Sequence, residues 1–189
     1  MKKPKAGIDL DDTVFDFMGG FVSFHNRVYG SSHEHHHFTT WHFSEILGCS
    51  REEATRRGIE FYHSPDHQKL ELVDGAREAL RFLALHYELV AITARELSRS
   101  ARMLELIDQH LFGLFASVHF LGHTKCKGEF CTEIGGVAFM VDDGLHNAEA
   151  VGGNGMPVYL MDRPWNQTEV LPPNTIRVHH WDDVIIDLL

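Results

Sequence analysis

Two carboxylates spaced two residues apart at the end of an apolar run are the first residues able to do chemistry. Ala6-Gly7-Ile8 leads directly into Asp9-Leu10-Asp11-Asp12-Thr13. Alternate residues of an extended segment point the same way, so Asp9 and Asp11 can face one substrate, one attacking and the other moving a proton. Further along, Asp142-Asp143 closes the apolar run 137–141, Thr93 follows Leu89-Val90-Ala91-Ile92, and Lys125 and Lys127 lie in the loop after 117–121. Carboxylates crowded at about 4 Å repel by roughly 4 kcal/mol per pair at an effective dielectric of about 20. Such a cluster needs a cation or raised pKa values. A hard divalent ion with oxygen ligands meets that need, and Mg²⁺ suits a site that also holds phosphate. Aspartate attacks a phosphate dianion only when a metal and a Lys cancel the charge. Thr93 could bond a phosphoryl oxygen, and a Lys could stabilise charge spread over a transferred group.

The elements around these residues must bring them together. Continuous apolar runs at 6–10, 89–92, 117–121, 137–141 and 157–161 read as buried strands. Between them, helical patterns are expected at 14–29, 75–85, 98–110, 128–134 and 145–151. Ser50-Arg51-Glu52-Glu53 has capping-box spacing and should open a helix toward Phe61, and Ser64-Pro65 repeats the cap-then-Pro pattern. Strands alternating with helices predict an α/β fold: a Rossmann-like parallel sheet with helices on both faces. Such a sheet binds ligands at the carboxyl ends of its strands, near the switch in strand order. The acids, Thr93 and a Lys would then share one rim. The stretch 18–73 interrupts the alternation and reads as a small helical cap, leaving 1–17 and 74–189 as the core domain.

Composition narrows the partners. The chain has 189 residues, 43% of them hydrophobic and 23% charged, which suits one globular core with a small insertion. A net charge of −10 argues against a nucleic-acid polymer, which would require a basic face. A small phosphorylated metabolite remains compatible, because local metal and Lys charge can override the global balance. Three cysteines make no disulfide framework. The basic start at Lys2-Lys3-Pro4-Lys5 is followed by too short an apolar run for a signal peptide, and no run is long enough to span a membrane. A cytoplasmic location is the expectation.

At this point the residues resemble a known group. Asp9-Leu10-Asp11-Asp12-Thr13 is similar to the first motif of the haloacid dehalogenase-like (HAD) hydrolase superfamily. Thr93 resembles its second motif, a Lys within 125–127 its third, and Val141-Asp142-Asp143 its fourth. The cap between the first two motifs, Leu72-Val73-Asp74-Gly75-Ala76 before a helix, the double Asp and Arg163-Pro164-Trp165-Asn166 resemble the 5′(3′)-deoxyribonucleotidase-like branch. The resemblance implies a Mg²⁺-dependent phosphomonoesterase with an aspartyl-phosphate intermediate. Asp9 would be nucleophile and metal ligand, and Asp11 general acid/base with its carbonyl on the metal. Asp143 would be a further ligand, and Asp142 a ligand or the holder of its water. Thr93, Ala94 and Lys127 would bind phosphate, with Lys127 preferred over Lys125 as the start of a family helix. A (deoxy)nucleoside monophosphate is the candidate substrate; a sugar phosphate or other small metabolite is the alternative, and a catalytically silent binding protein the alternative of another class. One departure is Ala94-Arg95 after Thr93, where deoxyribonucleotidases tend to have Ser-Pro.

Other residues receive plainer readings. Asp12 is expected to be a turn residue, and Arg95 and Arg99 to lie on a solvated helix face more often than on a substrate. The loop His33-Glu34-His35-His36-His37 is internal and polar, without a second ligand cluster in sequence, and is not assigned a specific metal. His119, His123, Cys126 and Cys131 lack zinc-knuckle spacing. Most aromatics near the insertion, from Phe15 to Tyr62, should pack it, with a minority left to meet a leaving group.

Overall fold

The computed structural model describes residues 2–122 and 124–189. Six parallel strands form one sheet: β1 (Lys5–Ile8), β2 (Glu88–Thr93), β3 (Phe115–Phe120), β4 (Phe139–Asp142), β5 (Val158–Met161) and β6 (Thr175–Val178). Their spatial order is β3-β2-β1-β4-β5-β6, so the order reverses between β1 and β4. The helices are α1 (Phe17–Tyr29), α2 (Phe43–Leu47), α3 (Arg51–His63), α4 (Ala76–His86), α5 (Ser100–Leu111), α6 (Lys127–Glu133), α7 (Leu145–Gly153) and α8 (Trp181–Leu188).

The apolar runs are continuous because both faces of the sheet are covered. Leu89 and Ala91 of β2 pack with Ile8, Val141, α4 and α5 on one face. Val90 and Ile92, offset by one, pack with Met140, Leu160, Cys131 and Val151 on the other. Gly7 sits at a close approach within the sheet layer, where a Cβ would lie 2.6 Å from Met140 Sδ. The first apolar cluster continues without a break into Phe21, Phe24, Phe38 and Phe61 of the segment between β1 and α4.

Boundaries differ from expectation where backbone bonding intervenes. β1 stops at Ile8, two residues early, and α1 starts at Phe17 rather than near Val14. A tight turn occupies the gap, in which Val14 and Phe15 N–H both donate to the Leu10 carbonyl at 2.9 Å, and Asp12 takes φ 54°. Asp16 then caps α1 through Gly19 N–H at 3.0 Å. Ser50 caps α3 as expected, accepting from Glu53 N–H at 3.2 Å. After Ser64-Pro65 only a short 3₁₀ turn forms, His67–Lys69, because the chain then straightens to bond back to the first turn. There Asp16 N–H donates to Glu71 O, and Val73 N–H to Val14 O, each at 2.9 Å.

β6 and α8 went unforeseen. Thr175-Ile176-Arg177-Val178 is short and half-polar, as an edge strand can be. Trp181 of α8 is fully buried and donates Nε1–H to the Thr13 carbonyl at 3.0 Å, tying the last helix to the turn after β1. Trp181→Ala should cost about 3–5 kcal/mol of stability through the cavity and the lost bond. Thermal or urea unfolding checks this, and a change below about 1 kcal/mol would contradict the packing described.

Candidate active site

The carboxyl ends of β1 and β4 lie side by side, with register pair Ile8 and Val141 and a bond from Asp9 N–H to the Val141 carbonyl at 2.9 Å. Asp9, Asp142 and Asp143 therefore share one rim, and each offers a carboxylate oxygen within 4.8 Å of the others. Lys127, the first residue of α6, reaches into this group. Its Nζ donates to Asp9 Oδ1 at 2.5 Å and to Asp142 Oδ2 at 2.7 Å. Lys127 is 3% exposed, whereas Lys125 pairs at the surface with Glu133. Of the two lysines, Lys127 is the one the fold carries into the acidic group.

Two further carboxylate oxygens are held by donors of the protein. Asp142 Oδ1 accepts from Gly144 N–H at 2.8 Å and from the Asn147 amide at 2.9 Å. Asp143 Oδ2 accepts from Trp165 Nε1–H at 2.6 Å. Asn166 fixes the backbone beneath, donating to the carbonyls of Asp143 and Met161 at 2.8 and 2.6 Å. Sequence reasoning did not single out Asn147. Trp165 and Asn166 stood only within a resemblance-bearing segment, without a role.

Electrostatics follow from this burial. Burial pushes the Asp9 carboxyl well above the ordinary carboxylate range; Lys127 pulls it back while Asp142, Asp143 and Asp11 push further up. Burial, then Asp142, raise Asp143 to about 7. Burial opposes the charge of Lys127, but Asp142 and Asp9 outweigh it and hold the ammonium above its usual range. Three buried carboxylates against one ammonium leave a deficit of positive charge that a hard divalent cation fits.

Asp11 is placed differently. It lies beside the group, at the mouth of a pocket of about 570 Å³ also lined by Asp9, Thr93, Ala94, Lys127 and Asp143. Both its oxygens are taken by Arg95, through Nε at 2.7 Å and through Nη2. Arg95 is 4% exposed, which corrects the reading of a solvated helix face. Its Nη1 meets His67 Nε2 at 3.0 Å, and its guanidinium lies over Tyr62 and Phe17. Arg99 is half-buried, lies over the same Tyr62 ring and also lines the pocket, so it is not on a solvated face either. Thr93 Oγ1 accepts Arg95 N–H at 3.2 Å, which leaves its O–H free to donate into the pocket. Phe17, Trp41 and Tyr62 also line this pocket, with Trp41 46% exposed.

Two other metal readings have outcomes here. His119 bonds Ser117 Oγ at 2.9 Å and packs on Phe130. Cys126 is exposed while Cys131 is buried, and His123 lies outside the described residues. In the His-rich loop, His35 does find acidic neighbours, Asp12 and Asp16.

The raised Asp143 carboxyl sets a pH dependence. Folded at about 7 and unfolded near 3.8, it binds more protons in the folded state across that window. Stability of the metal-free protein therefore falls as pH rises from about 4 through about 7. In chelator, the melting temperature should rise on acidification from pH 8 to 6, and Asp143→Asn should flatten that slope. An unchanged slope in the variant would contradict the assignment.

Comparison with known proteins agrees with this architecture. Residues 3–189 match the family described as 5′ nucleotidase, deoxy (pyrimidine), cytosolic type C protein. No curated protein matches the sequence significantly. Among solved structures, a haloacid dehalogenase-like hydrolase from Streptococcus pneumoniae superposes with TM-score 0.74 at 14% identity, covering 99% of both chains. The HAD-hydrolase YfnB from Bacillus subtilis, described as bound to magnesium, gives TM-score 0.67 at 16% identity over 100% of this chain and 99% of that one. A HAD family hydrolase from Deinococcus radiodurans, with bound phosphate and sodium, gives 0.69 at 11% identity over 98% and 95%. At these identities the structural likenesses carry the fold, and the family match carries the rest. The chain belongs to the cytosolic type C 5′-nucleotidase family, and with it to the phosphate-monoester hydrolases of the HAD superfamily.

Proposed function

We propose that this hydrolase is a Mg²⁺-dependent nucleotidase of (deoxy)nucleoside monophosphates that works through an aspartyl-phosphate on Asp9. One observation carries the reading: Lys127 Nζ sits between Asp9 and Asp142 at 2.5 and 2.7 Å, on the floor of a pocket that Thr93 and Ala94 also line. Asp9 and Asp143 would hold the Mg²⁺ with the Asp11 carbonyl. Asp142, its oxygens engaged with Lys127, Gly144 and Asn147, would hold the ion's water. Bound there, the ion supplies charge neutralisation on the phosphoryl oxygens.

The protein's own groups do the rest. Lys127, the Thr93 hydroxyl and the backbone at Ala94 bind the phosphate and set phosphorus in line with Asp9. Asp9 attacks, the bond to the leaving oxygen breaks, and Asp11 gives that oxygen a proton. Asp11 then takes a proton from water, which attacks the aspartyl-phosphate, releases inorganic phosphate and restores Asp9. Both Asp11 oxygens are on Arg95, so Arg95 must first be drawn off. An incoming phosphate dianion has the charge to do so.

Substrate choice would reside in residues 18–73, acting as a cap. Trp41 and Tyr62 come from this stretch, and with Phe17 they give the pocket flat apolar surface against which a base can stack. Entry and exit of the stretch are adjacent, through the Val14–Val73 and Asp16–Glu71 backbone bonds, as a hinge requires.

Asp9→Asn should abolish hydrolysis of p-nitrophenyl phosphate, by about a thousandfold or more, with the fold retained. Turnover near the wild-type level would refute the nucleophile. Chelation should silence the enzyme and Mg²⁺ restore it. In a substrate panel, deoxynucleoside monophosphates should exceed sugar phosphates in kcat/KM, and Trp41→Ala should erode that preference; the reverse ranking would reject the nucleotide reading while leaving the phosphatase intact.

A further inference from the structure

A second set of ligand-type side chains lies outside this machinery. A carboxylate oxygen of Asp12, one of Asp16 and a ring nitrogen of His35 fall within 4.8 Å of one another. Asp12 is 1% exposed, its Oδ1 accepts Met18 N–H at 2.8 Å, and its Oδ2 is buried with no hydrogen-bond partner among the described residues. Leaving a buried polar oxygen unsatisfied costs about 1–3 kcal/mol, more when it is charged. With Oδ1 engaged, Oδ2 is the oxygen Asp12 has left to offer a cation. Asp16 likewise spends Oδ1 on Gly19 N–H and keeps Oδ2. Arg163 lies alongside but forms no ion pair with either carboxylate among the described residues; its Nε goes to the Asp12 carbonyl at 2.9 Å and its Nη1 to the Asp162 carbonyl at 2.8 Å.

We propose that Asp12, Asp16 and His35 form a second cation site, for a first-row divalent transition metal such as Zn²⁺ or Co²⁺. An imidazole with two carboxylates favours these ions over Mg²⁺, which prefers oxygen ligands alone. Burial lowers the His35 pKa, against the pull of Asp16, so the ring is a neutral ligand at pH 7. A cation here would tie the His-rich loop to the turn after β1. It would also brace the catalytic rim, because the His35 ring packs on Trp165 at 5.3 Å and Trp165 holds Asp143.

Equilibrium dialysis of the full chain against Co²⁺ tests the site, with visible absorption reporting imidazole ligation. Two Co²⁺ per chain are expected, one at each site. His35→Ala and Asp16→Asn should each remove one; Asn can still cap α1, so the fold is kept. The double variant His36→Ala/His37→Ala should retain both. A count unmoved by His35→Ala and Asp16→Asn would overturn the proposal, as would a loss that follows His36 and His37 instead. If the catalytic metal reading fails alone, the wild-type count drops to one and that ion still depends on His35, so the two failures are told apart.

Discussion

One ammonium buried among three carboxylates is the constraint on which the structure depends. Lys127 Nζ, Asp9, Asp142 and Asp143 are withdrawn from water together, and none of these charges would be tolerable alone. Removing the Lys charge would leave adjacent buried acids whose burial and mutual repulsion both favour protonation. Keeping it leaves negative charge uncompensated, which is the condition for attracting a divalent cation and a phosphoryl group. The same imbalance that makes the site costly to fold makes it chemically useful.

The sheet exists to hold that imbalance in place. β1 and β4 are neighbours at the point where strand order reverses, so Asp9 and Asp142 leave adjacent strand ends without any special loop. Lys127 arrives from the far side because α6 packs tightly on α7. Gly128 allows it, since a Cβ there would lie 2.4 Å from the Ala150 carbonyl. Trp165, Asn166 and Asn147 then orient the acids from beneath. Arg95, stacked on Tyr62 and Phe17 and joined to Asp11, links this rim to the helices above it. In the proposed function, drawing Arg95 off Asp11 would therefore also disturb its packing on Phe17 and Tyr62 of those helices.

Much of this was legible in the chain. Apolar runs at 89–92 and 137–141 gave strands buried on both faces, and their ends delivered Thr93 and Asp142-Asp143 to the expected rim. The Asp9/Asp11 spacing gave two acids at one pocket, but not the division of labour between them. Asp9 is locked by Lys127 and Asp11 by Arg95, and the latter pairing spans 84 residues. No local pattern encodes such a partner; Arg95 reads as a surface residue until Tyr62, Phe17 and His67 are seen to enclose it. β6 was missed because an edge strand needs only one apolar face, and α8 because its anchor, Trp181, contacts Thr13 across the whole chain. His35 was hidden for the same reason, its acidic neighbours being about twenty residues upstream and visible only once α1 folds back.

In the proposed function, Asp9, Asp143 and Lys127 act on one phosphoryl group with one Mg²⁺. A crystal structure grown with Mg²⁺ and a beryllium or aluminium fluoride mimic of phosphate tests this directly. The mimic should be joined to the Asp9 carboxylate, with Lys127 and Thr93 on its fluorines and a single ion touching both Asp9 and Asp143. Finding the carboxylates of Asp9 and Asp143 on separate ions, or the mimic bound away from Asp9, would contradict it.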